Sequence, residues 1–548
     1  METIKRAIEF HKKGDYKNAE KFYIQFLEKN PDEAKAHHLL GAVYMQTGEI
    51  ELALQSLSRA YLLDKSLPIE TDFALCLYES RNYSASFVHL KNILKGSDSR
   101  VLYERILDCA LRLGLKEEYL DYALKFIELF GEEIEILRNL AGFAIDLDKL
   151  DIAERYYKKI IELVPDDYIA HNNMALVYEF KLNFPLAEEY YRKAIEIKPN
   201  LDPVYNLSVL LRREKRFDES FDMLQKAREY GLTDIAHDCT LGLLKLTRKD
   251  FSGFPLYMNF VKSQHKFLKK TQWDGKPDKN ILLLLCATEG FGDIFMFARY
   301  LDFVDVNLFR DVIIASPEPV LELLAYNFPN FKVVNAESNI PYDKNDIIMN
   351  LPNVFNLDFE HIPSSGKYLM APPLYLEKWR GIFNKEKFNV GIFYSGSYLN
   401  KRSLRNRNVD FELLKPLFDL EDELKNKVQF YSMQPEKRFT PEIEEQNAKT
   451  GNIEALEGKI ENFSDTAAIV EHLDLIISID SSVANLAGAL GKKTFLLLPN
   501  SPDWRWFDND KKTQWYDSVQ IFKQSKEGEW QEPVNRVKKA LIDEIRAK

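Results

Sequence analysis

The feature that most constrains this chain is a period. Ala153 and Ala187, Tyr157 and Tyr191, and Pro165 and Pro199 are each 34 positions apart. A fixed repeat of this length means that one small supersecondary unit is copied and stacked, because a unit too small to bury its own apolar face must bury it on the next copy. Within each copy a small residue stands where two helices would cross. An aromatic follows four positions later on the same helical face, and a proline closes the second helix. Ala19, Tyr23 and Pro31 repeat this order near the start, and Gly41, Tyr44, Gly48, Ala53 and Ala60 carry it through the next unit. The pattern fades over Leu67 to Gly131, where the small crossing residues are mostly lost, and returns from Glu135 to Asn200. The unit Leu201 to Asp234 is displaced by one position, and Ile235 to Ser263 reads as a terminal pair that caps the stack.

These residues resemble the tetratricopeptide repeat, and the resemblance covers 1–263. It implies helix-turn-helix units stacked into a right-handed superhelix with a concave groove. Asn139, Asn173 and Asn206 fall at the equivalent place of three successive units, which in this repeat type faces the groove. An amide offers both donor and acceptor, so such a ladder suits the backbone of an extended acceptor peptide. The equal alternative is that each asparagine bonds a neighbouring helix. His171, Tyr178 and Tyr205 are further groove candidates.

The 548-residue length suggests three or four domain-sized units. A net charge of −11 excludes a general polyanion binder, since wrapping nucleic acid or anionic lipid needs a broad positive face. Cys76, Cys109, Cys239 and Cys286 are far apart among apolar neighbours, the pattern of buried thiols in a reducing compartment, with no disulfide framework or zinc site. Met1 to Phe10 lacks the apolar stretch of a signal peptide, and the apolar run Ile281 to Ala287 is too short to span a bilayer. A cytoplasmic location is expected.

After a polar, breaker-rich link over 264–279, the texture changes to α/β. Ile281 to Thr288 reads as a buried strand, followed by a glycine loop and a helix from Asp293 to Val304. Val312 to Ser316, Lys332 to Val334 and Asp346 to Met349 read as further strands, completing a lobe over 280–385. A second series over 386–548 has strands at Asn389 to Tyr394, Val428 to Ser432, Leu475 to Ile479 and Thr494 to Leu498. The fold class expected is therefore α plus α/β: a repeat superhelix followed by two Rossmann-like lobes facing a cleft. Ligands of such sheets lie beyond the carboxyl ends of the strands.

Three loops sit there. Glu289-Gly290-Phe291-Gly292-Asp293 puts a carboxylate at a helix start, fit either to take the proton of an attacking hydroxyl or simply to cap the helix. Ser395-Gly396-Ser397 leads into Lys401, Arg402, Arg405 and Arg407, four cations suited to a diphosphate, or else a solvated basic loop. Asp480-Ser481-Ser482 precedes a helix through Asn485 toward Gly491. Its free N–H groups suit a phosphate, although Ser482 reads equally well as an N-cap.

The segment from Trp273 to about Gln524 is similar to the heptosyltransferase-like glycosyltransferases of GT-B fold, especially bacterial members with tetratricopeptide repeats in front. The residues that carry this are Glu289 to Asp293 with Phe297, Arg299 and Tyr300; Ser395-Gly396 with Arg405-Asn406-Arg407; Asp465-Thr466-Ala467; Asp480-Ser481 with Ala487 to Gly491; and Pro502-Asp503-Trp504-Arg505-Trp506. The resemblance implies inverting, metal-independent transfer from a nucleotide sugar, with Asp293 as base and a donor set of Gly290, Gly292, Ser395, Gly396, Lys401, Arg405, Arg407, Gln434, Asp480, Ser481, Ser482 and Asn485. Relatives usually carry histidine at the position of Asn485. Repeat-bearing transferases of this kind resemble the enzymes that glycosylate flagellin on serine or threonine, so flagellin is the expected acceptor and a CMP-, ADP- or UDP-linked sugar the donor. The alternatives are a binding scaffold with an inactive transferase-like domain and transfer to a lipid-linked or polysaccharide acceptor.

Overall fold

Every second repeat helix is entered through one residue with a left-handed backbone. In chain order these are Gly14, Gly48, Arg81, Gly114, Asp148, Leu182, Lys215 and Lys249, with φ from 58° to 82°. Their spacing of 33 or 34 positions continues without a break through the stretch where the sequence pattern fades. The computed structural model describes residues 2–231, 233–264, 272–287, 290–357, 362–363, 366–396, 407–434, 436–507 and 511–548. The chain divides into two compact units, Met1–Pro199 and Asn200–Lys548.

The first unit is a helical-repeat superhelix of helix pairs, from Glu2–Lys12 with Tyr16–Leu27 to Tyr168–Phe180 with Phe184–Ile197. The residues that set the period form its core. Ala19, Tyr23, Ala53, Ala153, Tyr157, Ala187 and Tyr191 are all buried. Gly41 shows why small residues recur, because a Cβ there would stand 2.6 Å from Leu57 Cγ on the partner helix. The faded middle is built from the same pairs with larger side chains in the seams: Phe87 and Leu90 pack with Tyr103, Ile106 and Phe126.

The second unit opens with four more helices, Leu201–Arg213, Phe217–Glu229, Ile235–Thr247 and Phe254–Gln264. The last two approach so closely that a Cβ on Gly242 would lie 2.8 Å from the Tyr257 backbone nitrogen. Two parallel sheets follow. The first has β1 Leu282–Cys286, β2 Asp311–Ser316, β3 Lys332–Asn335 and β4 Lys344–Ile347, in the order β3-β2-β1-β4. The second has β5 Phe388–Phe393, β6 Val428–Ser432, β7 Ile453–Ala455, β8 Leu475–Ile479, β9 Thr494–Leu498 and β10 Val519–Lys523, in the order β10-β9-β8-β5-β6-β7. All pairings named among these strands are parallel.

Three strands of the second sheet, β6, β8 and β9, fall on the ranges expected from sequence. Two edge strands were not expected. β7 has three residues, and β10 places Gln520 and Lys523 among its apolar positions, so neither shows the continuous apolar run of a central strand. The helix expected at Asp293 to Val304 begins earlier, at Phe291, and becomes a 3₁₀ turn at Arg299. Among the described residues, no helix is long and apolar enough to cross a membrane. Cys76, Cys109, Cys239 and Cys286 are all free and buried.

Candidate functional site at the ends of the parallel strands

In each sheet the strand order reverses beside its first strand, which opens a crevice at the carboxyl ends. In the second sheet that crevice lies between β5 and β8. It is flanked by Ser395-Gly396 after β5 and by Asp480-Ser481-Ser482 after β8. In the first sheet, β1 leads to Gly290, the N-cap of helix Phe291–Ala298. That helix lies against helix Ser482–Ala489, and the close approach needs Gly292, where a Cβ would stand 3.0 Å from Asn485 Nδ2 and 3.6 Å from Ser482 Cα. Gly292 therefore serves helix contact.

Asp293 does not cap its helix. Its carboxylate Oδ1 accepts from Arg505 Nε at 2.5 Å, while Arg505 Nη1 donates to Asp503 at 2.7 Å and Nη2 to the Tyr257 hydroxyl at 3.2 Å. Asp293 and Arg505 are only 18% and 15% exposed, so their charges interact at low dielectric. Burial raises the Asp293 carboxyl above the usual range, and Arg505 offsets that only in part. Burial also opposes the Arg505 charge, but Asp293 and Asp503 outweigh it and hold the guanidinium protonated. For Asp503, burial pushes upward, yet Arg505 and Arg407 together bring it down to about 2. Arg407 extends the cluster, with Nη1 3.4 Å from Asp480 and Nη2 3.9 Å from Asp503.

Beside this cluster lies a cavity of about 310 Å³. Phe291 and Pro319 line it from the first sheet's side, and Phe393, Ser395, Gly396, Phe439, Phe463 and Ser482 from the second, together with the acidic Glu436 and Glu461. Phe291 and Phe463 meet across it with ring centroids 4.8 Å apart. The N–H of Gly396 donates to Asn408 at 2.9 Å, and the Ser395 carbonyl accepts from Gln434 Nε2 at 3.1 Å, so side chains fix the loop after β5. Gln434 is fully buried, and its Oε1 has no partner among the described residues. An aromatic-walled cavity with small residues at strand ends suits a flat ring joined to a phosphate or sugar.

The third loop differs from expectation in detail. The helix cap is Ser481, whose Oγ accepts from the Ala484 N–H at 3.2 Å and meets Ser478 Oγ at 2.9 Å. Ser482 is the first helical residue and lines the cavity. Asn485, expected at a donor phosphate, is 4% exposed, and both ends of its amide have partners: Nδ2 donates to the Ser481 carbonyl at 3.1 Å and Oδ1 accepts from Tyr516 at 2.9 Å. It is a structural bracket in this arrangement. Lys401 and Arg405 lie outside the described residues. Of the asparagines expected in the repeat groove, Asn173 reaches the neighbouring helix, its Nδ2 donating to Tyr157 at 3.1 Å, while Asn206 stands half-buried on Leu201–Arg213 and Asn139 half-buried on Ile134–Asp146.

Sequence reasoning gave no role to Arg505, Asp503 or Tyr257. The segment Pro502 to Trp506 was a visible signal, but nothing in it tells that its arginine meets a carboxylate 212 positions earlier. Of the cavity's phenylalanines, sequence reasoning singled out only Phe291, within the loop after β1.

A tetratricopeptide-repeat family model matches residues 4–68 and 144–202, the two stretches where the period is clearest. Protein FlbA of Caulobacter vibrioides is 23% identical over 571 aligned residues, spanning 98% of this chain and 89% of that one. Among solved structures, YrrB, described as a TPR protein with an unusual peptide-binding site, is 20% identical, covering 34% of this chain and 96% of its own at a TM-score of 0.29. MamA from Desulfovibrio magneticus RS-1 is 19% identical, covering 31% and 96% at a TM-score of 0.28. Superposition at that level adds nothing to the fold described above.

Proposed function

We propose that this chain is a protein O-glycosyltransferase of GT-B architecture, in which the repeats recruit a protein acceptor and the two sheets join it to a nucleotide sugar. The observation that carries this reading is the convergence at one crevice of the loops after β5 and β8 and the helix that follows β1, beside a cavity of about 310 Å³ and a buried Asp293. The side over 280–385 takes the acceptor and the side over 386–548 the nucleotide sugar. In the step proposed, Asp293 accepts the proton of a serine or threonine hydroxyl as its oxygen attacks the anomeric carbon. The bond from that carbon to the phosphate oxygen breaks, and its electron pair leaves with the nucleotide. A carboxyl raised by burial is a better base at neutral pH than an exposed one. Arg407 and the N-terminal turn of helix Ser482–Ala489 supply positive potential for the leaving phosphate, and Ser482 offers it a hydroxyl donor. Stacked helical repeats offer the extended concave surface that binding a protein acceptor requires. From the family resemblance, flagellin is the acceptor and a CMP-, ADP- or UDP-linked sugar the donor.

The test is intact-mass analysis of flagellin from cells with the gene, without it, and with Asp293→Asn in its place. Loss of one discrete sugar mass in the second and third strains supports the reading, and its persistence in the deletion strain ends it. A scaffold with an inactive transferase-like domain is the second reading, favoured by Asn485 being bonded to Ser481 and Tyr516 and Asp293 being tied to Arg505. Thermal shift separates the two. A nucleotide at about 100 times its dissociation constant adds about 2.7 kcal/mol, whereas a scaffold without the site shows no shift with CMP, ADP or UDP at millimolar concentration.

A further inference from the structure

Arg505 joins three parts of the second unit. Its Nε holds Asp293 on the helix after β1, its Nη1 holds Asp503 in its own loop, and its Nη2 holds Tyr257 on helix Phe254–Gln264, the last helix before the sheets. The guanidinium is planar, so three partners in different directions fix its orientation. Tyr257 is fixed in turn, with its ring 5.7 Å from that of Trp504. Phe254, one helical turn earlier, packs on Phe297 at 6.0 to 6.3 Å together with Trp504. Arg505 occupies only one oxygen of Asp293. The other, Oδ2, has no hydrogen bond among the described residues and lies on the Gly290 side, 3.7 Å from where a Gly290 Cβ would be.

We propose that Tyr257 and Arg505 are a positioning pair for Asp293, which makes the closing helix of the repeat stretch a working part of the transfer site. The inference rests on Asp293 being the base. Arg505 opposes the upward push of burial on Asp293 and directs Oδ2 toward the acceptor hydroxyl, while Tyr257 stops the guanidinium from rotating away. The charged and titratable groups facing Asp293 are Arg505, Arg407, Asp503, Asp480 and Tyr257. Two are cations and two carboxylates, so removing Arg505 leaves Asp293 in a net negative, buried setting and moves its titration upward.

The experiment uses the full chain, flagellin purified from the deletion strain as acceptor, and the low-mass fraction of that strain's extract as donor source. The rate of mass gain is followed against pH for wild type, Tyr257→Phe, Arg505→Lys and Arg505→Gln. Arg505→Gln is expected to move the acid limb up by about one to three pH units, the size of an opposite-charge effect on a carboxylate. Arg505→Lys restores the limb but not the rate, because a single ammonium cannot hold three partners in a fixed fork. Tyr257→Phe keeps its ring packing, and its rate falls several-fold with the acid limb and the acceptor KM unchanged. An unmoved limb in Arg505→Gln, or a wild-type rate in Tyr257→Phe, overturns the pair. If wild type transfers nothing, the transferase reading fails separately. The hold of Arg505 on Asp293 is then decided by the infrared titration of the Asp293 carboxyl, taken as each protein minus its Asp293→Asn counterpart: an upward shift in Arg505→Gln upholds that hold, and none overturns the pair.

Discussion

The repeat stretch and the sheets use polar side chains over very different lengths of chain. In the first unit Asn173 reaches Tyr157, 16 positions away, and Tyr44 reaches Glu20, 24 positions away. In the second, Arg505 reaches Asp293 across 212 positions and Tyr257 across 248, and Arg299 reaches the Trp515 carbonyl across 216. A repeat array is a sum of neighbouring contacts, so damage stays near its source. A site assembled from distant loops depends on both sheets being in place at once.

Glycine substitutions should separate the two regions most sharply. At Gly488 a Cβ would stand 2.4 Å from the Tyr516 ring, which is buried, hydrogen-bonded to Asn485 and unable to turn aside. Gly488→Ala should cost about 3 kcal/mol or more, read by urea denaturation, and should abolish nucleotide-induced thermal shift. At Gly41 the obstruction is an aliphatic side chain, with Leu57 Cγ 2.6 Å away, in a seam between two helices that belongs to a single repeat. Gly41→Ala should cost about 1 to 2 kcal/mol and leave the nucleotide shift unaltered. Equal costs would break the comparison.

Deleting a seam in the repeats tests locality directly. Leu57 is fully buried, and Leu57→Ala should cost about 2 to 4 kcal/mol. Hydrogen exchange should quicken in helices Ala34–Thr47, Ile50–Leu63 and their immediate neighbours, and remain at wild-type rates in β8 and β9. Faster exchange in those strands would mean that the array is not locally cooperative.

The charge cluster predicts a pH signature confined to the second unit. Asp503 is held at about 2, below its unfolded value, so it contributes stability that is fully present above about pH 4 and is lost as pH falls toward 2. Asp293 has the opposite sign. Its raised carboxyl favours the folded state at acid pH, and this contribution fades as pH rises through the window above its unfolded value. Asp503→Asn should therefore lose about 2 kcal/mol near neutrality and far less near pH 2, measured by denaturant unfolding across that range. A pH-independent loss would mean that Asp503 matters through hydrogen bonds alone.

The smallest effect belongs to a turn. Leu182 holds φ at 58°, a region that a branched side chain enters at a cost, and it is 41% exposed. Leu182→Gly should be neutral or stabilise by less than about 1 kcal/mol, because relief of strain is partly offset by the freedom glycine gains when unfolded. Clear destabilisation would show that the leucine side chain packs in a way its exposure conceals.

What could be read beforehand follows the same division. Ala153, Tyr157, Ala187 and Tyr191 announced the repeats because a stack imposes the same local demand every 34 positions. The middle stretch hid the period, since its left-handed turns at Arg81 and Gly114 keep the spacing while Phe87, Tyr103 and Phe126 replace the small residues. In the sheets, β8 and β9 were legible as apolar runs and β6 was expected in spite of Gln429, whereas β7 and β10 were not expected: β7 has only three residues, and β10 carries a charged Lys523 besides Gln520. Ser395, Gly396, Asp480, Ser481 and Asp293 stood out as residues at strand ends or helix starts.

By itself, then, the sequence determined the repeat period, the parallel sheets and the loops where chemistry would be sought, since each depends on residues within a few tens of positions. Only the tertiary structure decided that Asp293 is ion-paired rather than capping, that Asn485 is a bracket, and that Tyr257 and Arg505 stand behind Asp293. Those outcomes depend on which side chains meet after burial. Burial brings together groups whose sequence separation carries no trace of their contact.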